Sequence, residues 1–205
     1  MNTSRIRSRA AVVITAGIVT AIALAGCSSG NDDLASQYKG GTTQNYISGD
    51  GAVTEVAADK REAPVDFSAK DTDGDTVSSK ALRGKVVVLN FWYAGCPPCR
   101  AEAKNLNKVA SSHAADDVAF VGVNVRDKKA TAEAFERTFG VDYPTVLDAD
   151  EGTMQLALSG TIAPNSVPTT IVLDKQGRVA ARILGAVDSP SILDTLVSDE
   201  LSGSA

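Results

Sequence analysis

One stretch constrains this chain more than any other. The apolar run Val86-Val87-Val88-Leu89 leads through Asn90-Phe91-Trp92-Tyr93-Ala94-Gly95 into Cys96-Pro97-Pro98-Cys99-Arg100. A segment with helical spacing follows, from Glu102 to His113. A strand that is nearly all apolar is the pattern of a central strand covered on both faces. A buried strand therefore ends where a Cys-x-x-Cys pair opens a helix, and that context gives a common spacing a redox meaning.

The chemistry follows from the thiol. Only the thiolate attacks, and a free cysteine has a pKa of about 8.5, which a helix N-terminus lowers to roughly 3.5–7.5. Free N–H groups and the helix dipole stabilise the negative sulfur there. Cys96 stands where the helix begins and is assigned the attack. Pro97 and Pro98 fall in the first turn, where a missing N–H costs little. Cys99, one turn on, is expected to be the more buried of the two and to close back onto Cys96, so the pair shuttles between dithiol and disulfide. Two other readings compete. A structural zinc site wants four Cys or His ligands, and beyond the pair only His113 and Cys27 are on offer. A purely structural disulfide closing so short a loop is a weak staple.

The N-terminus has its own pattern. Arg5, Arg7 and Arg9 precede an apolar stretch from Ala10 to Ala25 that is short for a membrane span. It ends in Leu24-Ala25-Gly26-Cys27, which resembles a bacterial lipoprotein signal. The resemblance implies cleavage before Cys27 and a lipid on its sulfur; an uncleaved anchor is the competing reading, and both place the domain outside the cytoplasmic membrane. With Cys27 lipidated, two of the three cysteines remain, and they are the Cys96/Cys99 pair. An oxidising compartment holds such a pair as a disulfide unless something reduces it. The formal net charge is −5, and the first 26 residues contribute three arginines and no acid, so the rest of the chain is more acidic still. That balance, with no basic run later in the chain, argues against nucleic acid as a partner. Residues 27–58, rich in Ser, Gly, Asn, Asp and Thr, read as the lipidated cysteine and a flexible tether with a reach of about 30 Å.

From residue 59 to 205 the pattern is that of one folded domain. Pro64 to Lys70 reads as a short extended piece. Asp71-Thr72-Asp73-Gly74-Asp75 has the look of a calcium loop, but Gly74 stands fourth and Leu82 twelfth, where an EF-hand needs Gly sixth and Glu twelfth, so a hairpin turn is the better reading. Ser78 to Arg83 is read as one helical turn, and Val118 to Val125 as a second buried strand. Ala132, Phe135 and Phe139 share one helical face that stops at Gly140. Tyr143 to Leu147 reads as a short strand, with Asp148, Asp150 and Glu151 opening the next helix. Thr169 to Leu173 and Arg178 to Leu184 flank a hairpin turn. Ser189-Pro190 is expected to cap a last helix through Leu201. The order is α/β, with an antiparallel pair at the end.

These residues also carry a resemblance. Asn90-Phe91-Trp92 before Cys96-Pro97-Pro98-Cys99-Arg100, with Val123-Asn124-Val125, Phe139-Gly140-Val141, Tyr143-Pro144 and Val167-Pro168-Thr169-Thr170, resembles the thioredoxin fold and, within it, the membrane-tethered TlpA/ResA-type thiol–disulfide oxidoreductases. The resemblance spans about Ala63 to Leu201. It implies a central mixed sheet flanked by helices, with an N-terminal extension and a βα-type insertion. It implies that Cys96 and Cys99 are the redox pair, and that Pro168 is a cis-proline facing it. It implies that the backbone at Val167 pairs with an extended substrate peptide, with Trp92 beside it as a further candidate for substrate binding. Glu102 matches an acidic residue near the active site, placed to tune a thiol or to accept the proton of Cys99; a solvated helix acid is the alternative. Asn90 stands where thioredoxin has a buried Asp, and Gly95 stands where many relatives have Trp.

The resemblance implies an enzyme of thiol–disulfide exchange that needs no cofactor. Its partners would be protein thiols and disulfides, including the Cys-x-x-Cys-His haem site of apocytochrome c, and a membrane thiol donor would recharge it. The same scaffold can run in the opposite direction as an oxidant of secreted proteins. A thiol peroxidase is disfavoured because Trp92 to Gly95 do not match the context of a peroxidatic cysteine. Copper delivery would need a well-placed histidine, and His113, expected to be exposed late on the first helix, is the only one in the chain. A peptide-binding lipoprotein with an idle disulfide is the remaining alternative.

Overall fold

The computed structural model describes residues 52–159 and 166–203, all within the compact unit Asn45–Ala205. The expected signal segment, Cys27 and most of the expected tether lie outside the described residues. Among the described residues no helix is long and apolar enough to cross a membrane.

The strand β4 (Val86–Trp92) is buried along its whole length. It lies between a parallel neighbour, β5 (Val118–Asn124), and an antiparallel one, β7 (Thr169–Leu173). Side chains alternate faces along a strand. Val87, Leu89 and Phe91 accordingly join one apolar cluster with Val65, Phe67, Met154, Ile171 and Leu173. Val86 and Val88 join a second with Leu106, Val109, Leu193, Leu196 and Val197. The last five come from α1 (Pro97–Ser112) and α4 (Pro190–Ser202), which cover that face of the sheet. Burying each such side chain contributes about 1.5–3 kcal/mol, and this layered core is the main driving force for the fold.

The remaining strands extend the sheet both ways. β8 (Val179–Leu184) pairs antiparallel with β7, and β1 (Ala52–Glu55) pairs antiparallel with β8 as the outer edge. On the other side β6 (Thr145–Leu147) pairs parallel with β5, giving the order β1-β8-β7-β4-β5-β6. β6 lies between α2 (Lys129–Phe139) and the short α3 (Thr153–Ala157), in the place of the βα insertion implied by the resemblance. A separate hairpin, β2 (Ser68–Lys70) with β3 (Thr76–Ser78), crosses to the sheet through an Asp71–Val146 bridge. The architecture is a thioredoxin-like α/β fold, a mixed central sheet flanked by helices.

Several local expectations meet their physical cause here. The Asp71 carboxylate accepts from the N–H groups of Asp73 and Asp75, so the acidic loop is a self-bonded hairpin turn. Gly140 takes the left-handed conformation at φ 68° and its N–H closes α2 on the Glu136 carbonyl. Other expectations need correction. Ala52–Glu55, within the expected tether of residues 27–58, forms the edge strand β1, whose four residues are too few to show a period in a polar segment. The Ser189 hydroxyl does not cap α4; it pairs with Ser191, and Pro190 alone marks the start. No acid lies in the first turn of α3. Asp148 serves it from a distance, its carboxylate accepting from the N–H groups of Met154 and Gln155. His113 is buried, not exposed. It ends α1 with its two ring nitrogens 2.8 Å from Asp116 and 3.0 Å from Asp194 of α4.

Candidate active site

Cys96 is the residue that caps α1. Its backbone is extended, and its sulfur accepts from the Cys99 N–H at 3.2 Å. Pro97 and Pro98 have no N–H to offer, so the donor of Cys99 is the first one in the helix, and it points at the Cys96 sulfur. That bond and the helix dipole both favour negative charge on Cys96. Cys96 and Cys99 form a disulfide, with Cα atoms 5.3 Å apart. Cys99 was expected to be the more buried residue, yet both are closed off, at 0 % exposure for Cys96 and 2 % for Cys99. The disulfide draws both into one apolar cluster with Trp92, Tyr93, Ala103 and Val167.

The loop ahead of Cys96 is held by groups that the sequence reasoning did not single out. The Cys96 N–H donates to the Tyr93 carbonyl, and the Ala94 N–H to Asp127 Oδ2 at 2.6 Å. Asp127 is itself fixed by Asn124, whose Nδ2 donates to the same oxygen and whose Oδ1 accepts from the N–H groups of Arg126 and Asp127. The end of β5 thus braces the redox loop at the end of β4. An Asn followed three residues later by Asp, just past a strand, was the available signal.

The Val167–Pro168 peptide bond is cis, as the resemblance implied. Phe91 pairs with Thr169, so Pro168 enters β7 beside the end of β4 from which the redox loop springs. Its carbonyl accepts from the Gly185 N–H. Val167 is 1 % exposed and shares the cluster with both cysteines. Trp92 does not lie on an accessible surface. It is 3 % exposed, and its ring lies 4.1 Å from that of Phe135, so it packs as a core residue under the site. Gly122 makes room for it, since a Cβ there would sit 3.0 Å from the Trp92 Nε1.

Glu102, one turn beyond Cys99, is not a solvated helix acid. It is 1 % exposed. Asn90 Nδ2 donates to its Oε1 at 2.9 Å and the Val187 N–H to its Oε2 at 2.8 Å. Burial penalises the carboxylate more than these two bonds favour it, and the negative Asp188 adds to the effect, so its pKa is pushed up from 4.5 to about 7. Burial, with Glu102 nearby, also raises the Tyr143 phenol. A cavity of about 10 Å³ is bounded by Cys99, Asn90, Trp92, Phe135 and Tyr143 among others, and Asn90, which lines it, is the residue that donates to Glu102. That is close to the room one water requires. A buried carboxyl that titrates near neutrality, one helical turn from a redox thiol, is suited to holding and passing a proton.

Comparison with known proteins agrees with this geometry. Residues 57–197 match the Redoxin family. The chain is 31 % identical over 140 residues to the thiol-disulfide oxidoreductase ResA of Bacillus subtilis, covering 68 % of this chain and 75 % of that protein. Among solved structures it is similar to a secreted thiol-disulfide isomerase from Corynebacterium glutamicum (32 % identity, TM-score 0.64, 77 % of this chain and 98 % of that one). It is likewise similar to a DsbF homologue from Corynebacterium diphtheriae (32 % identity, TM-score 0.62, 78 % and 99 %). A Cys-x-x-Cys disulfide on a helix N-terminus, beside a cis-proline in a thioredoxin-like sheet, places the chain in the Redoxin family as a thiol–disulfide oxidoreductase.

Proposed function

We propose that this protein is exported, held at the outer face of the cytoplasmic membrane through a lipid on Cys27, and acts there as a disulfide reductase. The observation that carries the redox role is the Cys99 N–H aimed at the Cys96 sulfur at the head of α1. The Cys96 thiolate attacks one sulfur of a partner disulfide, and the other sulfur leaves as a thiolate and takes up a proton. Cys99, deprotonated by Glu102, then attacks the Cys96 sulfur and releases the partner's second thiol. The partner has gained two electrons and two protons, and Cys96–Cys99 is the disulfide left behind. A membrane thiol donor recharges it. The backbone of Val167, just before the cis-proline, is the edge along which a substrate strand lies. Similarity to the thiol-disulfide oxidoreductase ResA supports exchange with protein disulfides, and the substrate in this reading is the haem-binding cysteine pair of apocytochrome c.

A second reading has its own support. The similar DsbF homologue and secreted isomerase favour a protein that forms or rearranges disulfides in secreted chains. The reduction potential of the Cys96/Cys99 couple separates the two. Equilibration with dithiothreitol buffers should give a value near the thioredoxin figure of about −270 mV for the reductase. A value near about −120 mV, that of a strong oxidant, overturns it in favour of disulfide formation.

A further inference from the structure

Two arginines stand over aromatic rings around the redox loop of this acidic chain. Gly95 leaves the position before the first cysteine without a side chain, and a Cβ there would touch the Tyr93 ring at 3.4 Å. The Tyr93 ring is covered in turn by Arg126, whose guanidinium carbon lies 4.2 Å from the ring centre. A second guanidinium, that of Arg100, stands over the Phe139 ring at 5.6 Å, on the residue that follows Cys99. Both arginines are exposed. Among the described residues neither has a carboxylate partner, whereas their neighbours Lys128, Lys129 and Arg137 are paired with Asp150 or Glu133. Asp127, next to Arg126, is engaged inward by the Ala94 N–H and Asn124.

A guanidinium stacked on a ring keeps its edge N–H groups free, in the fork that matches a carboxylate. Stacking also removes much of the side-chain freedom that binding would otherwise cost. The protein as a whole is acidic, so two unpaired cations at the redox pair are a local feature on a repelling background. Screening confines exposed charges to about 10 Å at 0.1 M salt, so a partner at Cys96 senses the arginines beside it more than the distant acids.

We infer that Arg126, with Arg100, is a specificity determinant of the redox site, selecting protein partners with Asp or Glu beside the reacting cysteine. The inference rests on the exchange reaction at Cys96 but not on its direction. The test uses the full chain in detergent, reduced and freed of reductant, with two disulfide peptides of identical length that differ only in acidic or basic flanking residues. At about 20 mM salt the acidic peptide should be reduced about threefold to tenfold faster, and the gap should close at about 0.5 M. Arg126→Gln with Arg100→Gln should abolish the gap, while Lys60→Gln with Lys175→Gln, which also removes two positive charges but at the distant β7–β8 turn, should keep it. The ratio of the two rates is the readout, because a change in thiol reactivity alone slows both peptides equally. Equal rates, faster reduction of the basic peptide, or a gap untouched by the double variant overturns the inference. If neither peptide is reduced, the reductase reading fails. The oxidised chain is then given the same peptides as dithiols, where the same ratio decides the inference.

Discussion

At the scale of single residues, Glu102 is the group whose chemistry depends most on where it is folded. In the unfolded chain it ionises near 4.5; in the native state it holds its proton until about 7, because burial costs the carboxylate more than the bonds from Val187 and Asn90 return. Below 4.5 both states are protonated and Glu102 makes no difference to stability. Between 4.5 and 7 the unfolded state loses its proton first, so stability falls as pH rises, by on the order of 3 kcal/mol in all. Denaturant melts of the oxidised protein across that range should show the fall. Glu102→Gln should flatten it, at a cost of about 1–3 kcal/mol for the hydrogen bond that a single amide oxygen cannot replace. A slope unchanged in Glu102→Gln would assign the fall to other groups. That Glu102 sits near the pair was readable from its spacing after Cys99. That it is buried was not, because its partners Asn90 and Val187 come from β4 and from the segment before α4.

Among elements, the N-terminal turn, the β7–β8 turn and α4 are tied together by Arg61. Its side chain is 4 % exposed and reaches Asp174 at 3.1 Å and Glu200 at 2.6 Å. Its Nε donates to the Val56 carbonyl. Burial alone would raise the Asp174 pKa, but bonds from the Arg178 N–H, Arg61 and the Arg178 side chain outweigh it and hold the pKa low. A buried ion pair is weak evidence of net stabilisation, yet removing one partner strands the other charge. Arg61→Met should therefore lower the unfolding free energy by about 3–5 kcal/mol in urea titrations. Arg61→Lys should recover only part, since an ammonium cannot bond two carboxylates and a carbonyl in the same fork. A loss below about 1 kcal/mol for Arg61→Met would show that the network is solvated. Nothing local in the sequence pointed to this cluster, in which Arg61 lies more than a hundred residues from both acids and all of β8 separates Asp174 from Glu200.

For the molecule as a whole, the fold begins earlier than its hydrophobic pattern. β1 adds four ladder residues to β8 and supplies, just past its end, the Val56 carbonyl that Arg61 uses. A chain started at residue 59 should lose about 2–4 kcal/mol relative to one started at residue 46, and should self-associate through the bared edge of β8. Thermal unfolding with light scattering checks both, and equal stability of the two chains would return residues 52–55 to the tether. The long buried strands, the hairpin turn at Asp71, the helix ended by Gly140 and the Cys96/Cys99 pair were legible without a structure, because each rests on local periodicity, turn chemistry or spacing. The acid at 102 was legible only as one of two readings, a group at the site or a solvated helix acid. Tertiary structure alone decided that Trp92 lies in the core, that Asp127 braces the redox loop, that His113 ties α1 to α4, and that Arg126 covers the Tyr93 ring of that loop. Those contacts join residues far apart in the chain, and their energies depend on burial and distance, which a linear pattern does not contain.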